Sequence, residues 1–564
     1  MCPRAMGALT RRAALQLFCL AGISLALVDC GGSSTTTPVA TTNYTIGGTI
    51  SGLTVSSVVL ANGSATATVL AGATTWSFPN SFTAGSSYTI TVQTQPSGEH
   101  CEITSGGSGN DTGFVGNVVV TCGFGQWSWQ QGANTVNASA VYGTQGTPAA
   151  SNLPGASYSG SSWTDSSGSF WLFGGVGYDS TGATGYLNSL WRYIPSSKQW
   201  TWISGGSIAN ASGIYGTQGT VAASNAPGGR YQSSSWIDAS GNLWLFGGFG
   251  YDGAAHVGEL NDLWRCDSHT GLWTWVSGGS AINASGVYGT LGTAAAGNVP
   301  GARYAASSWI DSSGNLWLFG GFGYDASGGV GKLNDLWRFS PSTGQWTWIA
   351  GGSGLNASGV YGTLATAAAG NVPGARYAAS TWADSSGNLW LFGGNGYDSS
   401  GAAGKLNDLW QYSPSSGQWT WVNGEDVTDA PPIYAAALGI ASAGSVPGAR
   451  YQSSSWIDSA GNLWLFGGVG YDLGGNVGNL NDLWEYVPSL GEWTWRSGAD
   501  TENASGAYGA QGAASVSNTP GGRNSTGAWL DSSGNLWLFG GYGYDASGNL
   551  GYLNDLWQFD PSTS

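Results

Sequence analysis

The stretch GNLWLFGGFGYD, residues 314–325, decides the fold, because the chain repeats it six times with few changes. The first glycine after its aromatic falls at Gly174, Gly247, Gly320, Gly393, Gly467 and Gly540, a period of 73 residues with one step of 74. The unbroken apolar run Leu316 to Phe319 suits a strand covered on both faces, as happens when sheets stack around an axis. Upstream, GARYAASSWID (301–311) reads as a strand and SSGN (312–315) as a tight turn. Downstream, FGYDASGGVGK (322–332) reads as a loop, LNDLWRFSP (333–341) as a third strand, STGQ (342–345) as a turn, and WTWIAGG as a fourth strand. Each copy therefore supplies four strands. The period of two places Trp346 and Trp348 on one face of the fourth.

Composition agrees with strands joined by glycine-rich loops. The 564 residues include 97 Gly, 31 Trp and 25 Tyr, and only 8% are charged. Fifteen Lys and Arg against 31 Asp and Glu give a formal charge of -16, and no basic run follows the N-terminus. That balance argues against nucleic acid or anionic lipid as a partner.

The Gly-Gly pair after an apolar strand, then LNDLW and a closing Trp, resembles the kelch motif, whose four-stranded units form propeller blades. The resemblance covers residues 124–564. Kelch units run near 50 residues, so the longer period implies an insertion. It is the linker NASGVYGTLGTAAAGNVPG, Asn283 to Gly301. The last copy stops at DPSTS, Asp560 to Ser564, where its fourth strand should begin, while GQWSW, Gly125 to Trp129, opens the array as an orphan fourth strand. The two ends are expected to complete one blade. The expected fold class is all-β: a six-bladed kelch-type β-propeller closed by N- and C-terminal strands, preceded by a small β-sandwich.

Residues 1–29 read as a signal peptide, with Arg4, Arg11 and Arg12 before the apolar run Ala13 to Val28. Cys30, followed by GGSSTTTP, resembles the lipidated cysteine of bacterial lipoproteins, with 30–42 as a flexible tether; a cut after SLA, residues 24–26, would instead give a secreted protein. Residues 43–123 alternate short β-branched segments with Gly, Asn and Pro, and loosely resemble the immunoglobulin-like modules of bacterial surface proteins. Cys101 and Cys122 can pair there in an oxidising compartment. Cys266 matches Phe339, Tyr412, Tyr486 and Phe559 in other copies, and reads as a small buried hydrophobe.

Strand direction puts the GYD loops and the long linkers on one face, where binding usually resides. Two tyrosines recur there in every copy: Tyr178, Tyr251, Tyr324, Tyr397, Tyr471 and Tyr544 in the loop, and Tyr142, Tyr215, Tyr288, Tyr361, Tyr434 and Tyr508 in the linker. They read as ligand-binding candidates for sugars or protein surfaces, with packing of the loops onto the blades as the alternative. Five copies carry an arginine after Pro-Gly (Arg230, Arg303, Arg376, Arg450, Arg523) and an aspartate in LNDLW (Asp262, Asp335, Asp408, Asp482, Asp555). The first copy has Ser157 and Ser189 instead. Joint loss of both points to a structural charge pair.

Kelch propellers resemble galactose oxidase, whose copper site implies histidine ligands and a tyrosine joined to cysteine. The array offers only His256 and His269, separated by a strand of about 7 residues, about 23 Å at 3.3 Å each, so the two cannot share a metal. A sialic-acid mutarotase is a second kelch enzyme, and Glu425, Asp426 and Asp429 with Asp500 and Glu502 form an acidic candidate for it or for a cation; solvated loops are the simpler reading. The NAS triplet at Asn283 reads as a turn former. No catalytic residue, metal or cofactor is expected. The sequence thus suggests an exported monomer at the outer membrane or cell surface, held by its lipid alone, that binds a glycan or a cell-envelope protein. A carbohydrate-active enzyme and a structural envelope protein are the alternatives.

Overall fold

The computed structural model describes residues 43–110, 113–435 and 438–563; the expected signal peptide, the tether and Cys30 lie outside the described residues. The chain is all-β, and its sheets repeat. In the third copy Ser307–Ile310, Leu316–Tyr324, Val330–Ser340 and Gln345–Ala350 pair antiparallel in that order. Six such four-stranded units follow one another, an arrangement compatible with a β-propeller. The sixth takes its outer strand from the other end of the array: Gln126–Gln131 pairs with Leu550–Asp560, with Trp129 opposite Trp557.

Packing between the sheets follows the apolar runs. Trp236, Trp244 and Phe246 of the second copy bury against Leu316, Leu318, Trp337 and Trp346 of the third, with Trp348 on the same face at the edge of that cluster. Phe170, Leu172 and Trp200 of the first copy pack in the same way against Trp529, Trp537 and Phe539 of the last. A strand buried on both faces is what the unbroken LWLF run predicts.

Two expectations about strand limits need correction. The second strand does not stop at Gly-Gly, and Phe322–Tyr324 are strand rather than loop. Gly320 (φ 63°) and Gly321 (φ 98°) instead form a bulge, where the register with the third strand shifts between Phe319 and Gly321. A Cβ on Gly320 would come within 2.7 Å of the Arg376 carbonyl oxygen, so only glycine fits. GARYAASSWID is likewise two strands, Arg303–Tyr304 and Ser307–Ile310, parted by Ala305 at φ 53°. The first copy is interrupted further: Val176–Tyr178 and Thr184–Tyr186 join Ser157–Tyr158 in a separate small sheet.

Ahead of the array, Ile46–Ser51 and Val115–Gly123 lie in one four-stranded sheet, and Val58–Asn62 and Ser87–Thr94 in another. Ile46, Val58, Leu60, Trp76, Val118 and Val120 share one core between them. Cys101 and Cys122, opposite each other on adjacent strands, are disulfide-bonded. Glu102 of this part accepts hydrogen bonds from Ser515 Oγ and from the Val516 N–H of the array.

Candidate functional site

Each linker ends in Pro-Gly and enters a two-residue strand whose first residue is the recurrent arginine. Successive strand residues point to opposite faces, so the arginine turns inward and its neighbour turns away. Arg303 is buried and bidentate to Asp335 at 2.7 and 2.8 Å, and also donates to the carbonyls of Gly301 and Gly320, both at 2.9 Å. The second carboxylate oxygen further accepts from Tyr288 Oη at 2.6 Å and Trp337 Nε1 at 2.7 Å. Burial alone would pull the guanidinium pKa down, but Asp335 outweighs it and raises it. The same network recurs at Arg230, Arg376, Arg450 and Arg523. In the first copy Ser189 takes the aspartate's place, and Tyr142 Oη and Trp191 Nε1 lie 3.2 and 3.1 Å from its hydroxyl. The inferred charge pair is therefore real, and the copy that lacks it is the copy whose strands are interrupted.

The residue beside each arginine builds the site. Tyr158, Tyr231, Tyr304, Tyr377 and Tyr451, with Asn524 in the sixth copy, line a cavity of about 620 Å³ in the middle of the array. Neighbouring ring centroids are 6.5, 6.3, 6.3 and 6.2 Å apart along this series. The five hydroxyls have no protein hydrogen-bond partner among the described residues. Burial, and then neighbouring tyrosines, push Tyr158, Tyr231 and Tyr304 up to about 12, so these phenols stay neutral.

The next residue in each copy forms a belt beneath them. Ser159, Gln232, Ala305, Ala378, Gln452 and Ser525 all have left-handed backbone, φ 53–60°. Gln232 N–H donates to the Ser159 carbonyl, and so on from copy to copy up to Ser525; Ser159 N–H in turn donates to Ser525, all at 2.8–3.0 Å. A non-glycine residue costs about 1 kcal/mol in this conformation, so the belt persists because the surrounding sheets over-determine it.

The rim above is where the copies differ. The position held by Lys332 is Tyr186, Glu259, Lys405, Asn479 and Tyr552 in the others. Tyr186 stacks on Tyr231 at 5.5 Å, and Tyr552 lies 5.3 Å from Tyr158. Lys332 Nζ donates to Asn395 Oδ1 at 2.6 Å and sits 5.1 Å from the Tyr397 ring, while Lys405 Nζ sits 5.0 Å from that of Tyr471. The loop tyrosines belong to this rim. Tyr178 is 5.8 Å from Tyr552, Tyr251 is 5.8 Å from Tyr186, and Tyr324 and Tyr544 are half-exposed like the rest.

The linker tyrosines are elsewhere. Tyr142, Tyr215, Tyr288, Tyr361 and Tyr508 are buried and Tyr434 half-buried. All but Tyr142 donate to the aspartate of LNDLW, so these rings pack the linker onto its sheet and present no open face. Asn283 does shape a turn, at φ 63° with its Oδ1 accepting from the Glu259 N–H at 3.1 Å. Asp429 occupies the matched position in the fifth linker, also at φ 63°, and accepts from the Lys405 N–H at 2.9 Å. Asp426 accepts from Ser399 Oγ at 3.1 Å, the Asp500 carbonyl accepts from the Leu473 N–H at 3.0 Å, and the Glu425 N–H donates to Asn407 Oδ1 at 3.1 Å. A hydrogen bond with Asp472 raises the Glu502 carboxyl. These acids hold loops in shape.

His256 lies 3.3 Å from the buried Asp252 carboxylate, the place that Asn476 and Asn549 take beside Asp472 and Asp545. His269 is exposed in the opposite turn, and the strand between the two, Val257–Asp267, has 11 residues, longer than expected. Cys266 is fully buried, and burial pushes its thiol up.

The funnel tyrosines and the belt were missed by reading outward from the longest loops. The available signal was RYAASSW itself, a short strand whose tyrosine recurs while the following residue changes among Ser, Gln and Ala. Compared with models of known protein families and with curated proteins, the chain matches none of them.

Proposed function

We propose that this chain is an exported, non-catalytic binding protein whose tyrosine funnel takes a glycan. In this reading the six sheets are blades of a closed kelch-type propeller and the funnel is the mouth of its central channel. Closure is supported by the pairing of Gln126–Gln131 with Leu550–Asp560, and by the hydrogen bond from Ser159 to Ser525 that links the first copy to the last.

The observation that carries the reading is the funnel lining. Five tyrosines with uncommitted hydroxyls surround a space of about 620 Å³. Pyranose rings have apolar C–H faces and hydroxyl edges, and suit an aromatic wall that carries its own donors and acceptors. A small-ligand pocket spans roughly 300–1,000 Å³, whereas a protein partner needs about 800 Å² of surface on each side, so the size favours a sugar over a folded protein. Cys30, carrying lipid, would hold the propeller at the outer membrane or cell surface.

The test is binding of the purified chain to an array of bacterial and host glycans. Saturable binding to a defined set of sugars, lost on changing Tyr231, Tyr304 and Tyr377 to Ala, is the expected result. Silence across the array would remove the sugar reading and turn the search toward envelope proteins.

A further inference from the structure

We infer that the funnel is a blind pocket for the end of a glycan: a single neutral terminal pyranose whose hydroxyls are held at the floor by the side-chain amides of Gln232 and Gln452. The inference rests on the glycan reading above and adds the orientation and class of the sugar.

The floor is the belt of left-handed residues. Among its six members only Gln232 and Gln452 carry long side chains. They stand three copies apart, which in a ring of six puts them on opposite sides. Both line the funnel, and both also line a second cavity of about 170 Å³ formed by the belt and the residues just after it. Both are half-buried, yet neither amide has a protein hydrogen-bond partner among the described residues. Each amide faces the cavities and brings two donors and an acceptor oxygen. Vicinal sugar hydroxyls, each both donor and acceptor, match that pattern.

The geometry makes the pocket blind. The floor is narrow because its six residues are joined N–H to carbonyl at 2.8–3.0 Å in one closed ring. The belt is tied by backbone hydrogen bonds from copy to copy, so it does not widen without breaking them. A sugar must therefore enter and stop, which selects a chain end. The width selects one ring: six positions spaced 6.2–6.5 Å apart on a regular hexagon have centroids about 6 Å from the centre, space for a single pyranose in contact with one wall.

Charge selects a neutral sugar. Floor and wall consist of amides, phenols and backbone, and the chain as a whole carries -16, which repels an acidic saccharide. The charges at the rim are of both signs: Lys332, engaged with Asn395 and with the Tyr397 ring, Lys405 beside the Tyr471 ring, and Glu259.

The test uses the full chain, the methyl α- and β-pyranosides of glucose, galactose and mannose at tens of millimolar, and saturation-transfer NMR, with Q232A/Q452A as the variant. Alanine already stands at two belt positions with the same backbone, Ala305 (φ 53°) and Ala378 (φ 56°), so the variant is expected to fold and melt like the parent. At least one methyl pyranoside should bind, compete with the oligosaccharides retained on the array, and bind about tenfold more weakly to the variant, as expected for losing two neutral hydrogen bonds. Equal binding by the variant would overturn the role of the amides. Silence of all monosaccharides while oligosaccharides still bind in a tyrosine-dependent way would overturn end-on recognition and leave the glycan reading standing. Silence of monosaccharides and oligosaccharides alike would overturn both.

Discussion

Removing one partner from a buried charge network is the sharpest available perturbation of this fold. In D335S, Arg303 would keep its charge inside the sheet, with only the carbonyls of Gly301 and Gly320 as acceptors, and Tyr288 and Trp337 would lose theirs. Breaking a buried ion pair from one side costs about 3–5 kcal/mol. At about 2.1 cal/mol/K per residue, unfolding of residues 124–564 carries about 0.9 kcal/mol/K, so the melting temperature should fall by about 3–5 °C. The first copy suggests the rescue, because it places serine at both positions, Ser157 and Ser189, and still forms its sheet. The double variant R303S/D335S should therefore recover about 2 kcal/mol of the loss, a coupling within the range for residues in one network. Thermal melting followed by tryptophan fluorescence and by calorimetry would measure parent, both single variants and the double. A D335S cost below about 1 kcal/mol, or a double variant no better than D335S, would refute the argument that the pair is held as mutually dependent charges.

Three further outcomes follow from the same geometry. Gly320→Ala should cost about 2–4 kcal/mol, from left-handed backbone and overpacking against the Arg376 and Leu333 carbonyls, whereas Gly314→Ala, with open space around it, should cost about 1 kcal/mol by the same melting assay. Reducing the Cys101–Cys122 disulfide, a sequence separation of 21, should destabilise the N-terminal sheets by about 3 kcal/mol, read as earlier loss of their hydrogen-exchange protection with the array unchanged. Alkali should weaken the fold through the funnel. Burial and then neighbouring tyrosines raise Tyr158, Tyr231 and Tyr304 from 10.0 to about 12, so the unfolded chain ionises first; stability is full below pH 10 and falls from about pH 10 to 12, visible as tyrosinate absorbance that appears late and together with unfolding.

The parts of the structure that recur were legible from residues alone. Six spaced Gly-Gly pairs gave the copies, and the orphan GQWSW strand identified its partner at the other end of the chain, because a repeat cannot leave a strand edge bare. The Arg–Asp pair was legible through a single copy that lost both members. Packing of the linker tyrosines was legible only as one of two readings, because their partner, the LNDLW aspartate, lies on another strand 47 residues downstream in most copies, and no local pattern joins the two. Strand limits failed at Gly-Gly, since a glycine pair that ends one strand and a glycine pair that bulges through another read alike. The funnel was hidden for a related reason. Tyr304 looks like any alternating strand residue until the left-handed turn at Ala305 and its counterparts bring five such tyrosines and Asn524 around one space.

The central claim, that the funnel and not the outer loops takes the ligand, is tested most directly by comparing two triple variants on one glycan retained by the parent. Y231A/Y304A/Y377A removes three funnel walls, and Y251A/Y324A/Y397A removes three rim rings of the same copies. Since each wall removed takes away buried apolar contact and a hydroxyl partner, the funnel variant should lose at least tenfold in affinity by titration calorimetry, with the rim variant within a few-fold of the parent. Loss confined to the rim variant, with the funnel variant binding like the parent, would contradict the account and place the ligand on the loops.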